Sequence, residues 1–199
     1  MYASLIHIER KEYNLALEYI NENKEMINSK IKSLLGESYI RGYELLIQNQ
    51  MLYNLEQIID YEQNHFGNIP YFNNMVKLWD KNLDTIGEDV YLYEKFLAIR
   101  SLVLPINQEY SKYMNLVKIC RKLKMYSKSE KILLRLKNKL NINDDDICKI
   151  KDIKLKEIQI QIALSYNRCL FEKGEDKNAI DESKYLVDLL DMAESNNEI

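Results

Sequence analysis

Proline and glycine are scarce in this chain, with two Pro and five Gly among 199 residues. Folds built from many short strands need such residues at frequent turns, so their scarcity excludes turn-rich β architectures and favours an all-α class. Cysteine is also sparse. Cys120, Cys148 and Cys169 are unevenly spaced and never form C-x-x-C, which excludes a zinc ribbon or a disulfide framework and leaves free thiols of a reducing compartment. The two histidines, His7 and His65, have no metal-ligand residue three or four positions on, so no metal site is assigned. No apolar run approaches the ~20 residues of a membrane span. The opening Met1 to Ile6 has no basic start and meets Glu9, Arg10 and Lys11 at once, unlike a signal peptide. A cytoplasmic protein or fragment is expected.

Catalytic motifs are missing too. There is no G-x-G-x-x-G, P-loop, D-F-G, H-E-x-x-H or G-x-S-x-G, the patterns that cradle phosphates, hold metals or expose a nucleophile. Asp144-Asp145-Asp146 has no activating neighbour, and 141–152 lacks the central Gly and distal Glu of a calcium loop. Ser127 and Ser129 have no histidine nearby. No catalytic residue is assigned.

What remains is helical periodicity. Ile31, Leu34, Leu35, Ser38, Gly42, Leu45 and Leu46 follow the i, i+3, i+4, i+7 spacing of one helix face. Ser38 and Gly42 are small residues on that face, suited to close helix packing; Gly42 costs about 1 kcal/mol of helix propensity against Ala. Leu52, Leu55, Ile58 and Ile59 mark the next helix, and His65 to Pro70 a loop. A helix from about Tyr71 carries Met75, Leu78, Trp79 and Leu83; another holds Val90, Tyr93, Phe96, Leu97, Leu102 and Val103 and stops at Pro105. Further helices are expected over about 107–123, 127–140, 146–173 and 176–193, with Gly174 as a helix stop.

A repeat runs through these helices. Tyr13 with Ala16 and Ile20, Leu52 with Leu55 and Ile59, Val90 with Tyr93 and Leu97, Tyr126 with Ser129 and Leu133, and more weakly Asp176 with Ala179 and Ser183 share one spacing. The leading residues lie 39, 38, 36 and 50 positions apart. A period of about 34–40 residues is that of helical hairpins of the tetratricopeptide (TPR) or HEAT sort. The expected fold is one segment over 1–199: a right-handed superhelix, or α-solenoid, of hairpins at about 1–26, 31–62, 69–104, 107–140 and 146–194.

The formal net charge of −3 is unevenly spread. Between Ser111 and Leu140 ten Lys and Arg face a single Glu130, a local balance of +9. Lys128, Lys131, Arg135 and Lys139 fall at i, i+3, i+7 and i+11, one basic stripe opposite Ser129, Ile132, Leu133, Leu136 and Leu140. Such a stripe is either a solvated face or a contact for a compact polyanion or an acidic protein. The acidic remainder and the lack of a nucleic-acid module speak against DNA or RNA.

The segments GESYIRGY at 36–43, MLYNLEQIIDY at 51–61, Trp79, FLAIRSLVLP at 96–105 and YMNLVKICRKLKMYSKSEKILLRL at 113–136 resemble, in order, the FAT domain of target-of-rapamycin (TOR) kinases. IALSYNRCLFEKGEDKNAIDESKYL at 162–186 resembles the next helical pair more weakly. The resemblance covers nearly the whole chain. It implies a non-catalytic scaffold segment of a serine/threonine protein kinase, whose partners are the kinase domain of the same protein and TOR-complex subunits. It implies nutrient and growth signalling in the cytoplasm, with peripheral attachment to endomembranes only through a complex. It also implies that the chain is an excised part of such a kinase or a reduced gene product. Family members associate inositol polyphosphate with a basic FAT pocket, and the stripe of Lys128, Lys131, Arg135 and Lys139, with Arg100, is the candidate contact here. The alternative is a free-standing TPR-like adaptor for protein partners.

Overall fold

A computed structural model describes residues 2–34, 39–140 and 153–195, and all the regular structure in them is helical. The helices are α1 (Tyr2–Glu9), α2 (Tyr13–Leu34), α3 (Tyr39–Asn64), α4 (Ile69–Ile86), α5 (Val90–Arg100), α6 (Ile106–Lys122), α7 (Tyr126–Lys139), α8 (Ile153–Lys173) and α9 (Asp176–Ser195). They pack as two compact units, Met1–Val103 and Leu104–Ile199, where the sequence suggests one undivided segment. In the first, α1 pairs with α2, α2 with α3, and α3 with both α4 and α5; in the second, α6 pairs with α7, α7 with α8, and α8 with α9.

Local chemistry sets the helix ends. Asn68 caps α4 by accepting from the Tyr71 backbone N–H at 3.1 Å, with Pro70 in the first turn, where its missing N–H costs nothing. Asp89 caps α5 by accepting from the Tyr91 and Leu92 N–H groups, both at 3.0 Å. α5 stops at Arg100, five residues before Pro105. Leu102 and Val103, expected inside that helix, instead form tight turns by donating to the Ile99 and Arg100 carbonyls. Pro105 then stands as the N-cap of α6, so the proline opens a helix more directly than it closes one.

Three hairpins close through the same turn. After α1, α6 and α8 come Lys11, Lys124 and Gly174, all with left-handed backbone (φ 60°, 58° and 84°). Each donates its N–H to the carbonyl three residues back, and the next residue donates to the one five back: Glu12 to His7, Met125 to Cys120, Glu175 to Leu170. This is the Schellman arrangement that satisfies the last carbonyls of a helix. Four residues after it, the returning helix presents Ala16, Ser129 and Ala179, all buried. Of the repeat's leading residues, Tyr13, Val90, Tyr126 and Asp176 open helices, whereas Leu52 lies in the middle of α3; Ile20, Leu133, Leu52, Leu55, Ile59, Val90, Tyr93 and Leu97 are buried as well. Full burial of each Leu or Ile contributes about 1.5–3 kcal/mol.

The expected hairpin at 31–62 is not present in that form. Ile31 and Leu34 end the long α2, and Tyr39–Asn64 is one unbroken helix. Leu45 and Leu46 thus continue straight into Leu52 and Leu55. Leu35 and Ser38 lie outside the described residues, whereas Gly42 is buried in the first turns of α3.

The first unit is tied across its helices by the single tryptophan. Trp79 of α4 is 1% exposed and donates its indole N–H to Gln57 Oε1 of α3 at 2.8 Å. Arg100 of α5 stacks its guanidinium 5.8 Å from the indole centroid and donates to Asp80 at 2.9 Å. A residue that is at once core, donor and cation platform should be costly to remove. Trp79→Ala is expected to lower the unfolding free energy by about 3–5 kcal/mol, measured by urea titration followed by circular dichroism.

Candidate functional site

α7 forms as the pattern of apolar and basic residues requires. Ser129, Ile132, Leu133 and Leu136 are buried, while Lys131, Arg135 and Lys139 are exposed and Lys128 is half-buried. Lys128, Lys131, Arg135 and Lys139 thus line the outer side of α7. Arg100 belongs to the other unit, its side chain 1% exposed and held by Asp80 and the Trp79 ring. A guanidinium closed off from solvent in this way serves the packing of α5 on α4, not contact with an external anion. Ser38 lies outside the described residues.

A second basic feature lies on the same unit. A groove of about 770 Å³ runs between α6 and α8, lined by Lys118, Arg121, Lys122 and Lys124 from one side and Arg168 and Glu172 from the other. At its base Arg121 grips Glu172 through both carboxylate oxygens, Nε to Oε2 at 2.8 Å and Nη2 to Oε1 at 2.5 Å. Arg168 adds a longer contact to Glu172 Oε1 at 3.3 Å. These hydrogen bonds, Arg121 foremost, hold the Glu172 carboxyl below the ordinary range, and the same bond to Glu172 raises Arg121. Beside the groove, Lys173 bridges Glu130 of α7 at 2.8 Å and Glu175 at 2.6 Å. The Glu130 bond is the main reason its ammonium holds its proton more firmly than usual. Cys169 is buried and donates its thiol to the Tyr126 carbonyl at 3.5 Å.

The sequence counted Lys118, Lys122 and Lys124 among the basic run but gave them no place, and it passed over Arg168 and Glu172. A usable signal existed. The step of 50 residues from Tyr126 to Asp176 carries Lys118 onto Arg168, so the two cations occupy equivalent positions in the first helices of consecutive hairpins, six residues before the left-handed turns at Lys124 and Gly174.

Chemically the arrangement offers exposed cations on an open surface to an anionic group. Among the described residues, no three or more His, Cys, Asp or Glu side chains gather where they could hold a metal, and no helix is long and apolar enough to cross a membrane. Because the Glu172 carboxyl is depressed in the folded state, its contribution is present above its ordinary value of 4.5 and is lost as pH falls through the folded value. Glu172→Gln is expected to cost about 1.5 kcal/mol at neutral pH. The difference from the parent should shrink as unfolding is measured at pH values falling below 4.5.

Comparison with known proteins places the chain in a family. The pattern that defines the FAT domain matches residues 1–199. The chain is 32% identical over 122 residues to the serine/threonine-protein kinase tor1 of Schizosaccharomyces pombe, covering 60% of this chain and 5% of that protein. It is 23% identical over 196 residues to the serine/threonine-protein kinase TOR of Oryza sativa subsp. japonica, covering 94% and 8%. The serine/threonine-protein kinase mTor of Drosophila melanogaster is 24% identical over 190 residues, covering 94% and 7%. The chain thus spans less than a tenth of the length of each of these relatives.

Proposed function

The chain belongs to the FAT domain family, and on that premise we propose that it is a scaffold segment of a TOR-type serine/threonine kinase that positions the kinase domain and complex partners in growth signalling. The observation that carries this reading is the match over the full 199 residues, together with TOR kinases as relatives over most of the chain. The FAT domain is a non-catalytic region of these kinases. The action is mechanical. Hairpins hide their apolar stripes on their neighbours and stack into a right-handed superhelix, which presents its polar faces to the kinase domain and to TOR-complex subunits. The cytoplasm is the compartment this requires, with endomembrane contact only through the complex. Affinity capture with tagged full chain tests the reading. Recovery of a TOR-type kinase domain, identified by mass spectrometry, is expected; recovery of chaperones without any kinase overturns it and favours the free-standing adaptor.

The exposed cations of α7 add a ligand to this reading. Lys131, Arg135 and Lys139, with Lys128 at the margin, take an inositol polyphosphate, whose compact negative charge suits a short row of mobile cations. In calorimetric titration with inositol hexakisphosphate at low salt, the Lys131→Glu/Arg135→Glu variant should bind about tenfold more weakly or not at all. The affinity of the parent chain should fall as salt rises. Equal binding by the two proteins would remove this ligand from the α7 face.

A further inference from the structure

We propose that the groove between α6 and α8 is a docking site for an extended acidic protein segment carrying an apolar side chain. The proposal rests on the scaffold reading in taking the array's role to be contact with other proteins, and it assigns one such contact to a place.

Charge comes first. Five cations line the groove against one carboxylate, Glu172, and that carboxylate is already held by Arg121 and Arg168. Arg121 is therefore the fixed floor. Lys118, Lys122 and Lys124 are exposed around it, and Arg168 has 71% of its side chain in solvent despite its bond to Glu172. The negative end of the α6 dipole accounts for cations at Arg121, Lys122 and Lys124. It does not account for Lys118, a turn and a half further back, or for Arg168 on another helix.

Lys124 stands on the lip of the groove at a left-handed turn (φ 58°), as Lys11 does at the equivalent turn after α1 and Gly174 after α8.

The lining then selects among anions. Leu164 is 52% exposed in the groove wall, and the Tyr126 ring and Ser165 stand with it. A compact polyphosphate gains nothing from the exposed apolar Leu164 beside these cations. An extended segment whose carboxylates reach Lys118, Lys124 and Arg168 while one apolar side chain covers Leu164 satisfies both halves of the surface.

The test uses the full chain and fluorescence anisotropy at two salt concentrations. The probe is a fluorescein-labelled peptide of glutamates flanking a single leucine, with a control of equal charge in which serine replaces the leucine. Saturable binding is expected, with the leucine peptide tighter than the control. Lys118→Glu/Arg168→Glu and Leu164→Ser should each weaken binding about tenfold, while Lys131→Glu/Arg135→Glu on α7 leaves it near the parent value. All the altered side chains are exposed, and unchanged circular dichroism would confirm that the variants fold. Absence of saturable binding, equal binding by the groove variants, or equal binding of the two peptides with full displacement by inositol hexakisphosphate would each overturn the proposal. The outcome is separable from capture of a kinase domain. That capture can fail while the groove still takes the peptide, and it can succeed while the groove takes none.

Discussion

A helix that returns on itself within three residues must reverse through a left-handed position and then bury a small side chain where the two helices come closest. Lys11, Lys124 and Gly174 provide the reversal, and Ala16, Ser129 and Ala179 provide the room. The apolar stripe of each returning helix can reach the outgoing helix only after that close approach. In α7, Ile132, Leu133 and Leu136 follow Ser129 into the core, so the basic residues between them have no direction left but outward. The same constraint places Lys118 and Arg168 at matching heights before their turns. The groove between α6 and α8 is thus a consequence of hairpin closure as much as of charge.

Polar side chains divide accordingly into those that finish the packing and those that remain for partners. Trp79, Gln57, Arg100 and Asp80 link α3, α4 and α5 inside one unit, and Arg121 with Glu172 links α6 to α8 inside the other. Both arginines act as internal struts because a planar guanidinium can stack or bind a carboxylate with two donors at once. Lysines predominate on the outside, where a compact, flexible charge costs little to keep hydrated. An arginine by itself is therefore a poor guide to a surface site in this chain: Arg135 is exposed, whereas Arg100 is buried. Its sequence neighbours belong to the FLAIRSLVLP segment of the family resemblance, yet its guanidinium is buried against Trp79 and Asp80 of its own unit.

Much of this was legible beforehand. Helical class follows from the scarcity of Pro and Gly, and the repeat spacing marked Ala16, Leu55, Tyr93 and Ser129 as buried because a 3.6-residue period leaves them no other side. The FAT resemblance read from GESYIRGY, FLAIRSLVLP and the segment at 113–136 agrees with the match over 1–199. The joints were harder. Leu34 and Leu45 share a periodic face, and that face was followed over Gly36 and Ser38, the stop and cap residue types that lie in sequence between the end of α2 and the start of α3; Pro105 reads equally well as a stop or as the start of α6.

Sequence alone determined the helical class and the outward face of α7, because each depends on residues within a few turns of one another, and the family, because its segments follow in order along the chain. Tertiary structure alone decided that Arg100 is buried, that Glu172 occupies Arg121, and that Lys118 and Arg168 share a groove. Those pairings join residues 20 to 51 positions apart. The 50-residue step relates Lys118 to Arg168 as equivalent positions, but which side chains meet is fixed only when the helices have packed.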